Sequence, residues 1–234
     1  MTERLSASVA AKHLACHASA NLPLAIPGWS PPLVDDTAAS SKGTDIHTIL
    51  EDSGKYTPKE QLGIARAMTY IAELRMKRRF TQLLEAEGMG WWLKATPRTK
   101  ADVVLYVQDE IHVIDYKFGK ILVEAFGNAQ GKYYALAFAA LAPKAKGVYF
   151  HIVQPFVDNF DVVFFTAKEL EQFRLETLAA EAAIEAGDVT FGPSDECKFC
   201  PANPHGRGVK AKPYCPALMQ MYYPSKLDVD DALA

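Results

Sequence analysis

Asp115 and Lys117 stand two apart in the run Glu110-Ile-His-Val-Ile-Asp-Tyr-Lys-Phe-Gly119. In an extended segment that spacing puts both side chains on one face. If Gln108 and Asp109 form a two-residue hairpin turn, Val107 opposes Glu110, and counting back along the ladder sets Asp102 opposite Asp115. A three-residue turn would slip the register by one and separate them. Two carboxylates side by side repel unless a cation sits between them. Oxygen ligands of this kind suit Mg²⁺ or Mn²⁺, hard ions that also bridge to phosphate oxygens and activate water. A lysine two residues along can then steady the attacking water or the charge that builds on the phosphate. The plainer reading of these three residues is a solvated hairpin carrying ordinary surface charge.

A second set of residues is thiol chemistry. Cys197-x-x-Cys200 and Cys215 lie in a Pro-rich tail, and Cys16 stands alone near the N-terminus, so all four cysteines are available to one site. Four thiolates suit either Zn²⁺ or a [4Fe–4S] cluster. Zinc sites more often use two close pairs, whereas Cys16 and Cys215 are each single in sequence. Free thiols are the third possibility. Further candidates are His47, one turn before Glu51, and Gln130 with Tyr134, which share a helix face at a spacing of four. Taken singly, each is more often a packing residue than a functional one. Arg75, Lys77, Arg78 and Arg79 put four positive charges in five residues, and Arg98 and Lys100 flank the first aspartate. Such groups can neutralise phosphates, or can simply be a solvated helix face. Lys198, Arg207, Lys210 and Lys212 add charge to the tail. Of the adjacent Trp91 and Trp92, at least one belongs in the core if the segment is a strand.

Together, Gly43-x-x-x-His47, Asp102, Asp115-x-Lys117 and Gln130-x-x-x-Tyr134 resemble the RecB-type nucleases of the PD-(D/E)XK superfamily. That family includes the AddB nuclease domain, the CRISPR-adaptation nucleases and a phage-associated branch. The phage branch shares an opening like Leu5-Ser-Ala-Ser and a strand like His-Val-Ile-Asp-Tyr-Lys-x-Gly-Lys, and the similarity runs from Ser6 to Cys215. The resemblance implies a deoxyribonuclease, an exonuclease acting on DNA ends or single strands in phage recombination or replication. His47, Asp102, Asp115 and the Tyr116 carbonyl would hold the divalent ion. Lys117 would be the catalytic lysine, and Gln130 and Tyr134 would contact DNA or steady the site. Cys16, Cys197, Cys200 and Cys215 would bind an iron–sulfur cluster that staples the chain ends together. A recombination or single-strand-binding protein is the implied companion. The chain departs from the family pattern at Pro97-Arg-Thr-Lys-Ala-Asp102, where relatives carry a Gly-Thr-Ala-Asp approach, and at His17, where they carry proline after the first cysteine. His13, His17 or His205 could replace one cluster ligand.

The elements that must position these residues read as a mixed α/β core. Helices are expected over Thr44–Glu51, from a Thr57-Pro58-Lys59-Glu60 capping box to about Glu87, over Asn128–Leu141, and from a second capping box at Thr166 to about Ala186. Strands are expected at Trp91–Ala95, Asp102–Val107, Ile111–Phe118, Val148–Val153 and Val162–Phe165. The expected fold is a restriction-endonuclease-like mixed sheet flanked by helices. It forms one domain: an N-terminal segment 1–43, a nuclease core 44–190 and a cysteine-rich tail 191–234.

With 234 residues, 49% hydrophobic and 23% charged, the chain can bury a sizeable core. No apolar run approaches the roughly 20 residues of a membrane span. The N-terminus lacks the basic, apolar and small-residue progression of a signal peptide, so a cytoplasmic setting is expected, that of a bacterial host if the chain is phage-encoded. A net charge of −3 gives no bulk attraction to nucleic acid, so DNA binding would rest on local patches. Two competing functions predict different behaviour. A DNA-binding module with a vestigial site would bind without cleaving, and an electron-transfer protein would reduce its cluster reversibly but would have no use for the two aspartates and the lysine.

Overall fold

The computed structural model describes residues 5–29, 57–203 and 215–222. Among these, the helices in chain order are α1 (Ala10–Ala15), α2 (Leu22–Ala25), α3 (Pro58–Lys77), α4 (Ala129–Phe138), α5 (Ala167–Glu185) and α6 (Pro216–Tyr222). The strands are β1 (Thr81–Met89), β2 (Arg98–Val107), β3 (Glu110–Tyr116), β4 (Gly147–Gln154) and β5 (Asn159–Thr166). The expected helix at Thr44–Glu51, with His47, lies outside the described residues. The chain divides into two compact units, one of Val34–Trp92 and Thr96–Leu175, the other of Met1–Leu33, Leu93–Ala95 and Glu176–Ala234.

The first unit is a five-stranded mixed sheet in the order β1-β2-β3-β4-β5. Strand β3 runs parallel to β4 and every other pair is antiparallel. A parallel neighbour cannot be reached by a tight turn, so the chain crosses over through α4. Helix α3 begins at the expected capping box, with the Thr57 hydroxyl accepting from Glu60 N and the Glu60 carboxylate accepting from Thr57 N. It lays Ala67, Ile71 and Leu74 on Val103, Leu105, Ile114 and Val153. Because side chains alternate, Ile114 faces α3 and Asp115 must face the other way. That other face carries Phe150 and Ile152, the latter paired with Asp115. Here α4 packs so closely that a Cβ on Gly131 would lie 2.4 Å from the Phe150 ring.

Two expectations fail at the sheet edge. The helix expected to reach Glu87 stops at Lys77, because Arg78 is fully extended (φ −149, ψ 160). Thr81–Met89 instead forms β1, paired with β2 along its length. Leu83, Leu84, Glu85, Ala86 and Glu87 favour helix locally, but eight ladder partners on β2 outweigh a preference of a few tenths of a kcal/mol per residue. Trp91–Ala95, expected as a strand on its aromatic content, is a turn region, and the chain reverses at Thr96 with φ +39. Trp92 is buried against Tyr133, ring centroids 4.8 Å apart, whereas Trp91 is exposed.

The second unit joins residues from both ends of the chain. Ala18 N donates to Thr190 O at 3.1 Å, Asn21 Nδ2 to Ile184 O at 3.0 Å, and His17 Nδ1 meets Asp188 Oδ2 at 2.7 Å. Helix α5 is closed by a turn at Gly187, whose φ of +83 no side-chain-bearing residue adopts easily. Leu22, Ile26, Ala202 and Leu218 form a small apolar cluster that includes Cys200 and Cys215. No helix among the described residues is long and apolar enough to cross a membrane.

Candidate functional site

The site is built on the β2–β3 hairpin. Val107 pairs with Glu110 around a Gln108-Asp109 turn, and the ladder continues to Val103 opposite Ile114. One more step along that register sets Asp102 opposite Asp115. Asp115 is buried and forms an ion pair with Lys117 at 2.7 Å. Asp102 is partly buried, and its Oδ2 accepts from Tyr116 N at 2.6 Å. Lys117 N donates to Val153 O at 2.9 Å, which carries the parallel ladder one residue past the strand and fixes the lysine's backbone.

Helix α4 supplies the rest. Its N-cap Asn128 accepts from Gly131 N at 2.8 Å, and the first turn so fixed aims Gln130 at the lysine. Lys117 Nζ donates to Gln130 Oε1 at 2.9 Å, and Gln130 Nε2 donates to Tyr134 OH at 2.8 Å. Burial, then the charges of Asp115 and Asp102, push the Tyr134 hydroxyl well above the usual phenol range. Both carboxylates therefore act on one phenol. Tyr116 is pushed up to about 12 by burial and by Asp102. Lys117 is thus held between a carboxylate and an amide, the amide is held by a phenol, and all lie on the α4 face of the sheet.

This donor set fits a hard divalent cation. Two carboxylates lie across adjacent strands, and the buried one, Asp115, pairs with Lys117; oxygen ligands of this kind suit such an ion. Among the described residues no group of three or more His, Cys, Asp or Glu side chains could hold a metal ion, and His47 and Glu51 lie outside them.

The basic candidates are divided. Arg75 and Lys77 occupy the last turn of α3, and Arg79 follows it. Arg78 bridges Asp109 at 2.8 Å and Glu110 at 2.7 Å, and Lys100 pairs with Glu85, so these two charges are balanced locally. Arg98 opens β2 opposite Met89.

All four cysteines line one cavity in the second unit, with Lys12, Leu22 and Phe191. None of the four is joined in a disulfide. Burial pushes the Cys200 and Cys215 thiols up, while backbone N–H groups of Ala202, and of Leu218 and Ala217, pull them back. Cys215 senses Cys16 and Cys197, and Cys200 senses Cys197 and Cys215. Sulfur ligands served by backbone donors suit a thiophilic metal. The thiols do not converge to ligating distance in groups of three.

Two arrangements escaped sequence reasoning. On the α3 face, Tyr70 OH, His151, His112 and Glu110 form a chain of three hydrogen bonds, each 2.8 Å long. Both histidines are buried. The second is a set of polar side chains, Gln154, Asn159 and Asp161, that hold the backbone of the connection between β3 and α4. Neither has a local sequence signal, because each depends on the β3–β4 and β4–β5 registers.

Comparison with protein families matches residues 92–231 to the model described as "Protein of unknown function (DUF2800)", more than half of the chain. The chain belongs to that family. The match begins at Trp92 and takes in Asp102, Asp115, Lys117, Gln130 and Tyr134, with Cys197, Cys200 and Cys215; Cys16 and His47 precede it. No curated protein matches the chain. Among solved structures, the chain is similar to one titled "Crystal structure of SSO0001", at 14% identity and a TM-score of 0.36, over 69% of this chain and 76% of that one.

Proposed function

We infer that the protein is a Mg²⁺- or Mn²⁺-dependent deoxyribonuclease of the PD-(D/E)XK type, acting on DNA ends or single strands. The observation that carries this reading is the Asp102–Asp115 cross-strand pair with Lys117 fixed between Asp115 and Gln130. Asp102 and Asp115 would hold the ion, joined through the family resemblance by His47 and the Tyr116 carbonyl. When bound, the ion supplies Lewis acidity toward water and the phosphodiester.

The chain's own residues supply orientation and charge. Lys117 keeps its ammonium on the carboxylate face, where it can donate to the oxygen that becomes negative as water adds to phosphorus and a P–O ester bond breaks. Gln130 prevents the lysine from swinging away, and Tyr134 fixes which way the Gln130 amide points. Holding a donor before the reaction avoids reorganisation during it. The four cysteines are read as ligands of a structural [4Fe–4S] cluster, with Zn²⁺ as the alternative, binding the two ends of the chain within one unit.

The test uses protein purified anaerobically and end-labelled single and double strands. Cleavage that requires Mg²⁺ or Mn²⁺ and stops on chelation is the expected result. DNA binding without cleavage under either ion would transfer the reading to a DNA-binding module.

A further inference from the structure

The run Pro97-Arg-Thr-Lys-Ala-Asp102 departs from the family pattern, and its Thr99 is turned into the protein. Arg98 and Lys100 on either side are exposed, whereas Thr99 is only 8% exposed. The β1–β2 ladder is broken at Glu85, whose φ is +48, and at Asp102; beyond the break Thr99 pairs with Gly88. A Cβ on Gly88 would lie 2.8 Å from the Phe138 ring and 3.3 Å from Thr99 Cγ2. Thr99 therefore lies against α4, where Phe138 follows Tyr134 by one turn.

Donor and acceptor arithmetic gives that position a role. An ammonium can only donate, so Gln130 must turn its Oε1 to Lys117 and its Nε2 to Tyr134. The Tyr134 oxygen accepts from Nε2 and has its own hydrogen left to give. Asp115 and Asp102 act on this phenol through charge, and Thr99 acts on it through a hydrogen bond. Thr99 Oγ1 is sealed from water and has no other partner among the described residues. The phenol therefore donates to Thr99, and the chain from Lys117 through Gln130 and Tyr134 runs in one direction. Without that hydroxyl a buried O–H lacks its acceptor, a costly state. Reversing the Gln130 amide would offer the phenol a carbonyl, but it would set an NH₂ group against the ammonium and release the lysine.

We propose that Thr99 is a positioning residue for the Lys117 ammonium, acting through Tyr134 and Gln130. This rests on the nuclease reading and adds to it the residue that closes the chain. It also ties the start of β2 to the chemistry at the end of β3.

The experiment compares full-length wild type, Thr99→Val, Thr99→Ser, Tyr134→Phe and the double variant Thr99→Val with Tyr134→Phe. Cleavage of an end-labelled single strand with Mg²⁺ gives kcat and KM, and NMR of protein labelled with ¹³Cζ-tyrosine reports the phenol. The Tyr134 resonance is assigned by its absence from Tyr134→Phe. In Thr99→Val that resonance should shift and kcat should fall about tenfold, the scale of one hydrogen bond, with KM little changed. Thr99→Ser keeps the hydroxyl and should restore both. In the Tyr134→Phe background, Thr99→Val should cost nothing further, because the two act as one unit. An unmoved Tyr134 resonance in a folded Thr99→Val protein would overturn the contact itself. A moved resonance with the wild-type kcat, or a full additional loss in the double variant, would overturn the positioning role alone. A moved resonance in a protein whose wild type cuts nothing under Mg²⁺ or Mn²⁺ would overturn the nuclease reading and, with it, the role given to Thr99.

Discussion

Acidification from about pH 7.5 to about pH 5.5 destabilises the sheet unit through its two buried histidines. Their hydrogen bonds run in one direction when both rings are neutral: Tyr70 O–H donates to His151 Nδ1, His151 Nε2–H to His112 Nδ1, and His112 Nε2–H to the Glu110 carboxylate. An added proton has no acceptor between the rings. Burial, then the charges of His112 and Lys77, pulls His151 down to about 3 from 6.5. Burial also lowers His112, against the opposing pull of Glu110. The unfolded chain titrates near 6.5, so below that value it binds protons that the folded chain refuses, and stability falls as pH drops toward 3. Each pH unit in that window is worth about 1.4 kcal/mol per histidine, so His151 alone removes about 1.4 kcal/mol by pH 5.5. For a chain of this size that is a fall of roughly 3–6 °C in Tm, with His112 adding in the same direction. Thermal unfolding at about pH 7.5, 6.5 and 5.5 measures it. His151→Gln keeps a neutral hydrogen-bonding side chain and should flatten the slope. A His151→Gln protein with the wild-type pH dependence would refute the reasoning.

Lys117→Met is expected to lower the cleavage rate by about 100- to 1,000-fold, the loss of one preorganised donor, while Mg²⁺ affinity holds or rises because Asp115 loses its competing cation. Isothermal titration beside single-turnover kinetics separates the two, and loss of metal binding would make the lysine's role structural. Gln130→Leu frees the lysine and should cost up to about 100-fold in rate with DNA affinity nearly unchanged; an unaltered rate would detach α4 from the chemistry. Anaerobically purified protein should be brown with about four irons per chain, and Cys16→Ser should lose both iron and thermal stability although the C-terminal tail is intact. A colourless protein with one tightly held zinc would establish the zinc alternative, and a Cys16→Ser protein with full iron would remove the staple.

What was legible in the sequence was what local rules control. The Thr57–Glu60 and Thr166–Glu169 capping boxes form as their spacing requires, and both helices start where they should. The Gln108-Asp109 turn has two residues, so simple counting set Asp102 across from Asp115. Strand β1 was illegible because Leu, Glu and Ala favour helix and only pairing with β2 makes Thr81–Met89 extended. Nothing in Arg78 or Arg79 marks the end of α3 in the way a glycine or proline would. The Lys117–Gln130 contact was foreseen only as a shared site, since its geometry depends on how tightly Gly131 lets α4 approach Phe150. The His112–His151 pair and the Gln154 clamp depend on registers between strands separated by a helix or a turn, which no local spacing encodes.

The central claim is that Asp115 serves hydrolysis rather than the fold, and one substitution tests it most directly. Asp115→Asn keeps the size of the side chain and removes the charge that would hold the ion. End-labelled DNA incubated with Mg²⁺ and the full-length Asp115→Asn protein should remain uncut while still being bound, with an unfolding curve close to that of the wild type. Cleavage at the wild-type rate by a folded Asp115→Asn protein would contradict the account.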